Sequence, residues 1–277
     1  MTKRIVLCAD DYGQAPEISQ GILALIKYGR LSAVSCMVNT PYWLEHAKWL
    51  LPVQPNVDIG LHFNLTHGKA LSSAFIAKYG ENLPPLPVLL RQALLRQLDK
   101  AALEAEFSAQ IDRFKEGVGF QPAFIDGHQH VHQFPVIREA FASVYQQRFK
   151  KQQKPYVCHV NPRFDLADFF NNFKKLIIFI SGAPGFGRLL EAQEIPTISS
   201  HTGMYSFAEA ANYRALFIGF LKACDDGGLI MCHPGLKAAG NTSDPIADAR
   251  YLEYQYLFGD KFLYDCHQQK VVLGRYY

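Results

Sequence analysis

The sequence predicts an α/β fold: a mainly parallel sheet covered by helices and closed as a barrel of about seven strands. Three observations predict it. Short apolar runs alternate with helix-like stretches along most of the chain. Polar clusters follow the apolar runs, where such barrels gather their chemistry. The chain has 277 residues, enough to bury a large core in one unit, so a single domain over residues 1–277 is expected.

The elements follow in order. Arg4–Ala9 reads as a buried strand from its Ile-Val-Leu run. Pro16–Tyr28 reads as a helix, because Ile18, Ile22, Leu25 and Ile26 fall on one face, and Gly29 closes it. Ser32–Val38 is a second strand, Tyr42–Leu51 a short helix and Val57–Phe63 a third strand. His67–Leu90 breaks the rhythm as a loop-like insertion with Pro84, Pro85 and Pro87. Leu94–Glu116 reads as a long amphipathic helix, and Ala123–Asp126 as a fourth strand ahead of a His-rich turn and a helix from Pro135. Tyr156–Val160 is a fifth strand. Phe169–Leu190 is a second irregular insertion with clustered Gly182, Pro184, Gly185 and Gly187. Pro196–Ser200, a helix over Ala208–Cys224 and the strand Leu229–Cys232 continue the alternation. A helix from Asp248 and a strand over Lys270–Leu273 end it.

Composition narrows the function classes. Hydrophobic residues make up 49% and charged residues 19%, which excludes a disordered or fibrous chain. The net charge of +3 is small, and the one dense basic stretch, Arg148–Lys154, is short and Gln-rich, so no nucleic-acid partner is expected. No apolar stretch approaches the roughly 20 residues of a membrane span. The six cysteines form no CxxC pair, and Cys8, Cys36, Cys158 and Cys232 sit in apolar runs as small hydrophobes. A reducing, cytoplasmic location is expected.

Four motifs carry chemistry. The first is Ala9-Asp10-Asp11-Tyr12-Gly13. Two adjacent carboxylates at the end of a buried strand are costly unless a cation neutralises one and leaves the other as a base. A helix N-cap would account for one Asp, not two. The second is Gly60-Leu61-His62-Phe63-Asn64-Leu65-Thr66, in which His62 taken alone reads as a packed core histidine rather than a ligand. The third is Asp126-Gly127-His128-Gln129-His130-Val131-His132. Its three histidines project to one side if the chain stays extended, and neutral imidazole is a common metal ligand that needs a partner on its other nitrogen, from Asp126 or backbone carbonyls. The fourth is Leu229-Ile230-Met231-Cys232-His233-Pro234-Gly235, with His233 at a strand's end, where taken alone it reads equally as a general acid and as a packed histidine. His201-Thr202-Gly203 occupies a similar place. An Asp-His-His set with open positions is a catalytic rather than a structural metal pattern.

Together, Ala9–Gly13, Gly60–Thr66, Asp126–His132 and Met231–Gly235 resemble the hallmark blocks of the YdjC family, carbohydrate deacetylases related to chitooligosaccharide and hopanoid-sugar deacetylases. The resemblance covers residues 4 to about 235. It implies a distorted (β/α) barrel of the glycoside hydrolase/deacetylase superfamily and hydrolysis of an N-acetyl group on an amino sugar, with one Mg²⁺ or Zn²⁺. By motif position it implies Asp11, His62 and His128 as metal ligands, Asp10 as base and His233 as acid. His130 and His201 are the expected substrate contacts. Tyr12 stands where family members often carry Phe, and neither 169–190 nor His201–Gly203 matches a family block. A small carbohydrate is the expected partner, and a homodimer the expected assembly by base rate. The alternatives are a metal-dependent barrel hydrolase acting on a phosphoester or cyclic amide, a sugar-binding relative without activity, and a metal-free glycosidase that would leave the His-rich block unexplained.

Overall fold

The computed structural model describes residues 2–149, 154–160, 182–198, 200–238, 240 and 243–276. The strands are β1 (Lys3–Tyr12), β2 (Ala33–Cys36), β3 (Asp58–Phe63), β4 (Phe124–Gly127), β5 (Tyr156–Val157), β6 (His201–Thr202), β7 (Leu229–Cys232) and β8 (Val271–Leu273). Their hydrogen-bonded order is β5-β4-β3-β2-β1-β7-β6, with β8 also pairing β1. The described pairings of β1 with β2, β7 and β8, of β3 with β4, of β4 with β5 and of β6 with β7 are all parallel. The parallel β/α architecture expected from the alternation of elements is therefore present.

The chain forms two compact units, and β3 passes from one into the other at Gly60. The first comprises Met1–Met37, Pro41–Gly60 and Ile198–Tyr277. Its centre is β1, where Ile5, Val6, Leu7, Cys8 and Ala9 are buried between β2 and β7. Strands buried on both faces need continuous apolar runs, and this one has one. Helix α1 (Pro16–Lys27) buries Ile18, Ile22, Leu25 and Ile26, its Pro16 sits in the first turn, and the chain leaves through Gly29 at φ 66°. Helices α8 (Tyr213–Ala223), α9 (Ala247–Phe258) and α10 (Asp260–Gln268) belong to the same unit. They meet through Phe217, whose ring lies 5.3 Å from Tyr256 and 5.6 Å from Phe262.

The second unit comprises Val38–Thr40 and Leu61–Thr197. Helix α5 (Lys100–Val118) starts where the Asp99 side chain accepts from the Ala102 N–H and stops at left-handed Gly119. It buries Phe107, which packs 4.7 Å from Phe63 of β3 and 4.7 Å from Phe141 of α6 (Ile137–Arg148). Each such ring contributes about 1.5–3 kcal/mol through burial. Helix α7 (Ala183–Ala192) adds buried Phe186.

Several expectations change. Residues 67–90 are irregular only in part: they hold α3 (Ser73–Tyr79) and the start of α4 (Leu86–Leu94). Pro85 and Pro87 stand at the N-terminal end of α4, where a missing N–H costs nothing. The long helix begins at Lys100 rather than Leu94, because α4 ends there and Asp99 caps a new start. The segment is anchored by Glu106, fully buried on α5, whose carboxylate accepts the backbone N–H groups of Leu71 (3.0 Å) and Ser72 (2.8 Å). The strand expected at Pro196–Ser200 is replaced by β6 one residue on and a single bridge between Thr197 and Val157. Of the 169–190 insertion, 169–181 lies outside the described residues, while Ala183–Ala192 is helical. Among the described residues, no helix is long and apolar enough to cross a membrane.

Candidate active site

Asp10 and Asp11 lie inside β1, not after it. Ala9 pairs with Val34 and Tyr12 with Cys36, so the two carboxylates together oppose the single residue Ser35. This is a β-bulge, which re-aims side chains at a strand's functional end. Asp11 absorbs the extra residue with a left-handed φ of 67°, a conformation that costs a non-glycine residue about 1–2 kcal/mol. The turn beyond it is held on all sides. Tyr12 donates to the His46 carbonyl at 2.7 Å, the Met37 N–H donates to the Tyr12 carbonyl at 2.8 Å, and the Gly13 N–H donates to Ser19 Oγ at 2.9 Å. Gly13 has φ +92°, and a Cβ there would stand 2.8 Å from the Met37 carbonyl oxygen.

Both carboxylates are buried, and each faces a different partner. Parallel pairing matches Ala9 with Cys232, which puts His233 one step beyond the ladder, level with Asp10. His233 Nε2 lies 3.9 Å from Asp10 Oδ2. Asp11 Oδ2 accepts from Arg250 Nη2 at 2.8 Å. The Arg250 side chain is only 3% exposed and also donates from Nε to Asp244 Oδ2 at 2.6 Å. Burial works against the Arg250 charge, but Asp11 and Asp244 outweigh it and raise its pKa. Part of the neutralisation that the sequence argument assigned to a cation is thus supplied by Arg250.

His62 and His128 sit in the second unit. The β3/β4 register pairs His62 with Asp126, so the two side chains leave the sheet on the same face. His62 Nδ1 and Asp126 Oδ1 are 2.7 Å apart, with side chains 4% and 12% exposed. With Asp126 ionised, which can then only accept, and His62 neutral, Nδ1 carries the proton and Nε2 keeps a lone pair. The His128 ring follows one residue after β4, its centroid 5.4 Å from that of His62 and at 71° to it. The two residues offer ring nitrogens within 4.8 Å of each other. A carboxylate-oriented imidazole beside a second imidazole is a donor pair suited to a divalent cation.

The other histidines do not follow the extended-chain expectation. Between His128 and Gln133 the chain kinks at Gln129 and His130, which take left-handed φ of 53° and 59°. The three histidines therefore diverge. His130 is half-buried beside the turn. His132 turns inward: its Nε2 lies 2.9 Å from the Cys158 carbonyl and its ring packs against Phe186. Burial pulls its pKa down to about 4, so the ring is held neutral within the core. His201 lies on β6 opposite Leu229, half-buried. Of the aromatics in the two expected insertions, Phe75 and Phe186 are core residues, Tyr79 accepts the Asp99 N–H, and Phe170, Phe173 and Phe179 lie outside the described residues.

Sequence reasoning missed four groups. His67, which ends a turn pinned by Asn39 and Asn64, brings its ring within 6.3 Å of His128. Arg250 and Glu253 lie on α9, where the sequence marks only a helix. Tyr205 donates to Glu253 Oε1 at 2.6 Å. Charged residues on a helix read as solvated, so nothing local marks them as buried.

The chain was compared with known proteins. Over 147 residues it is 37% identical to a carbohydrate deacetylase of Danio rerio, covering 51% of this chain and 46% of that protein. Over 158 residues it is 32% identical to a chitooligosaccharide deacetylase of Proteus mirabilis, covering 53% and 57%. The chain thus spans about half the length of the curated relatives it matches. In structure it is similar to an Enterococcus faecalis protein provisionally described as a cellobiose-phosphate cleavage protein, with a TM-score of 0.74 and 19% identity over 100% of this chain and 98% of that one. It is also similar to a peptidoglycan N-acetylglucosamine deacetylase, with a TM-score of 0.53 and 11% identity over 98% and 85%. These likenesses bear out the barrel-type fold class. The sequence model of the YdjC-like protein family matches residues 4–268, nearly the whole chain, and the chain belongs to that family.

Proposed function

We propose that this chain is a divalent-metal-dependent hydrolase that removes the N-acetyl group from an amino sugar or a short N-acetylated oligosaccharide. The observation that carries the reading is the Asp126–His62 bond at 2.7 Å, which leaves His62 Nε2 as a lone-pair donor next to His128. Relatives named carbohydrate and chitooligosaccharide deacetylase support the substrate class. Asp11, His62 and His128 are the ligands, and the donors fit: two imidazoles and a carboxylate suit Zn²⁺, while Mg²⁺ prefers oxygen. A divalent ion held there supplies Lewis-acid polarisation of the amide carbonyl.

The chain's own groups move the protons. Asp10 is the base that takes the proton of the attacking water. His233, 3.9 Å from it, is the acid that protonates the departing amine nitrogen. His130 and His201 are the substrate contacts. One catalytic domain spanning the family match is the organisation we infer. The burial of all six cysteines supports a reducing compartment such as the cytoplasm.

The test is acetate release from N-acetylglucosamine, its phosphate and chitobiose by protein stripped of metal and then given Mg²⁺, Zn²⁺ or Co²⁺. Release restored by metal, and lost again with chelator, is the expected result. Stoichiometric metal binding with no release from any substrate would overturn the deacetylase reading. Release that is indifferent to metal would overturn the metal assignment.

A further inference from the structure

We propose that Glu253 is a positioning residue for the proton donor His233, an inference that rests on the hydrolase reading above. His233 sits one residue past the end of β7, where the ladder no longer fixes the backbone. Helix α9 replaces it. Glu253, wholly buried, accepts the His233 N–H at Oε2, 2.6 Å away. One turn earlier on the same helix face, Arg250 points Nη1 at the His233 carbonyl, 3.5 Å away, and its own carbonyl accepts the Gly235 N–H at 3.1 Å. The turn carrying the acid is therefore gripped at both backbone groups of His233 and again at Gly235.

The second oxygen of Glu253 acts on the imidazole through two rings. Oε1 accepts from the Tyr205 hydroxyl at 2.6 Å. Tyr205 packs against Phe207 with centroids 5.1 Å apart. Phe207 stands edge-on to the His233 ring at 5.2 Å and 86°. One carboxyl group thus fixes where the His233 backbone starts and which way its ring faces. Both Glu253 oxygens are engaged within this assembly, so Glu253 itself is not the acid or the base. Removing this buried carboxyl leaves the His233 N–H without its Glu253 acceptor. It also frees the ring to rotate, and a misplacement of about 1 Å in a catalytic group costs on the order of 10²-fold in rate.

The test separates positioning from general damage through the leaving group. An amine leaves a sugar amide only when protonated, whereas 4-nitrophenolate leaves an aryl acetate without a proton. In metal-loaded protein, Glu253→Ala is expected to lower kcat on an N-acetylated sugar by about 10²-fold. KM on the sugar and turnover of 4-nitrophenyl acetate should stay within about twofold of the parent. Glu253→Gln, which keeps one acceptor oxygen, should recover part of the loss, and Tyr205→Phe should show the same pattern with a smaller drop. Equal losses on both substrates, or no loss on the sugar, would overturn the proposal. A parent that releases no acetate from any sugar would sink the deacetylase reading instead. Positioning is then judged by NMR: the His233 Cε1–H resonance, assigned by its disappearance in His233→Ala, should move toward the free-histidine position in Glu253→Gln and Tyr205→Phe. An unmoved resonance in both would overturn it.

Discussion

Replacing Asp126 by Asn isolates what the carboxylate does for His62. The two residues are register partners in β3 and β4, and the 2.7 Å bond joins side chains that are 4% and 12% exposed. The substitution keeps the shape and changes the chemistry. A carboxylate accepts only, so it selects the tautomer with the proton on Nδ1; an amide donates as well as accepts and selects weakly. Partners of this kind are worth about 10- to 100-fold in metal affinity, or roughly 1.4–2.8 kcal/mol at 1.4 kcal/mol per tenfold. The bond also weakens from charge-assisted to neutral, about a twofold loss of strength. We expect Asp126→Asn to fold, to bind Zn²⁺ with unchanged stoichiometry and to have a dissociation constant about 10- to 100-fold higher by titration calorimetry. The stabilisation against heat conferred by saturating metal should shrink accordingly. Parent-like affinity in Asp126→Asn, with binding abolished in His62→Ala, would refute the tautomer argument while leaving His62 a ligand.

Two further outcomes are expected. Burial lifts the Glu253 pKa from 4.5 to about 7, with the bonds from Tyr205 and His233 pulling the other way. An acid raised in the folded state contributes stability in full below its unfolded pKa and loses it as pH rises through about 7. The gap in urea-unfolding free energy between the parent and Glu253→Gln should therefore narrow as pH rises from 4.5 to 8.5, by a few kcal/mol at about 1.4 kcal/mol per pKa unit; a pH-independent gap contradicts the buried, protonatable assignment. Gly13→Ala places a Cβ 2.8 Å from the Met37 carbonyl at a φ of +92°, and should lower stability by roughly 2–4 kcal/mol from left-handed strain and overpacking together. A melting temperature equal to the parent's would show that the turn after Asp11 is not rigid.

Much of the fold and half of the site were legible in the sequence, because both are written in local patterns. Apolar runs interrupted by Asp10, His62, Asp126 and His233 marked strand ends; the structure places His62, Asp126 and His233 next to a strand's end, and Asp10 inside β1, two residues short of its end. Ile18, Ile22, Leu25 and Ile26 announced α1 by spacing alone, and all four are buried. Features that depend on backbone hand or distant partners were not legible. Alternation suggested that His128, His130 and His132 share a side, but left-handed φ at Gln129 and His130 turns the chain and sends His132 into the core. Pro84, Pro85 and Pro87 read as breakers, although a proline in a helix's first turn opens a helix as readily as it ends one. The β1 bulge at Asp10 and Asp11 exists only in the pairing with β2. Arg250 and Glu253 look like the solvated face of a helix until β7 delivers His233 to them and Asp11 arrives from more than two hundred residues away in sequence. Periodicity along the chain determines which residues are buried together within an element, whereas the partner of a buried charge is chosen only when strands remote in sequence come into register.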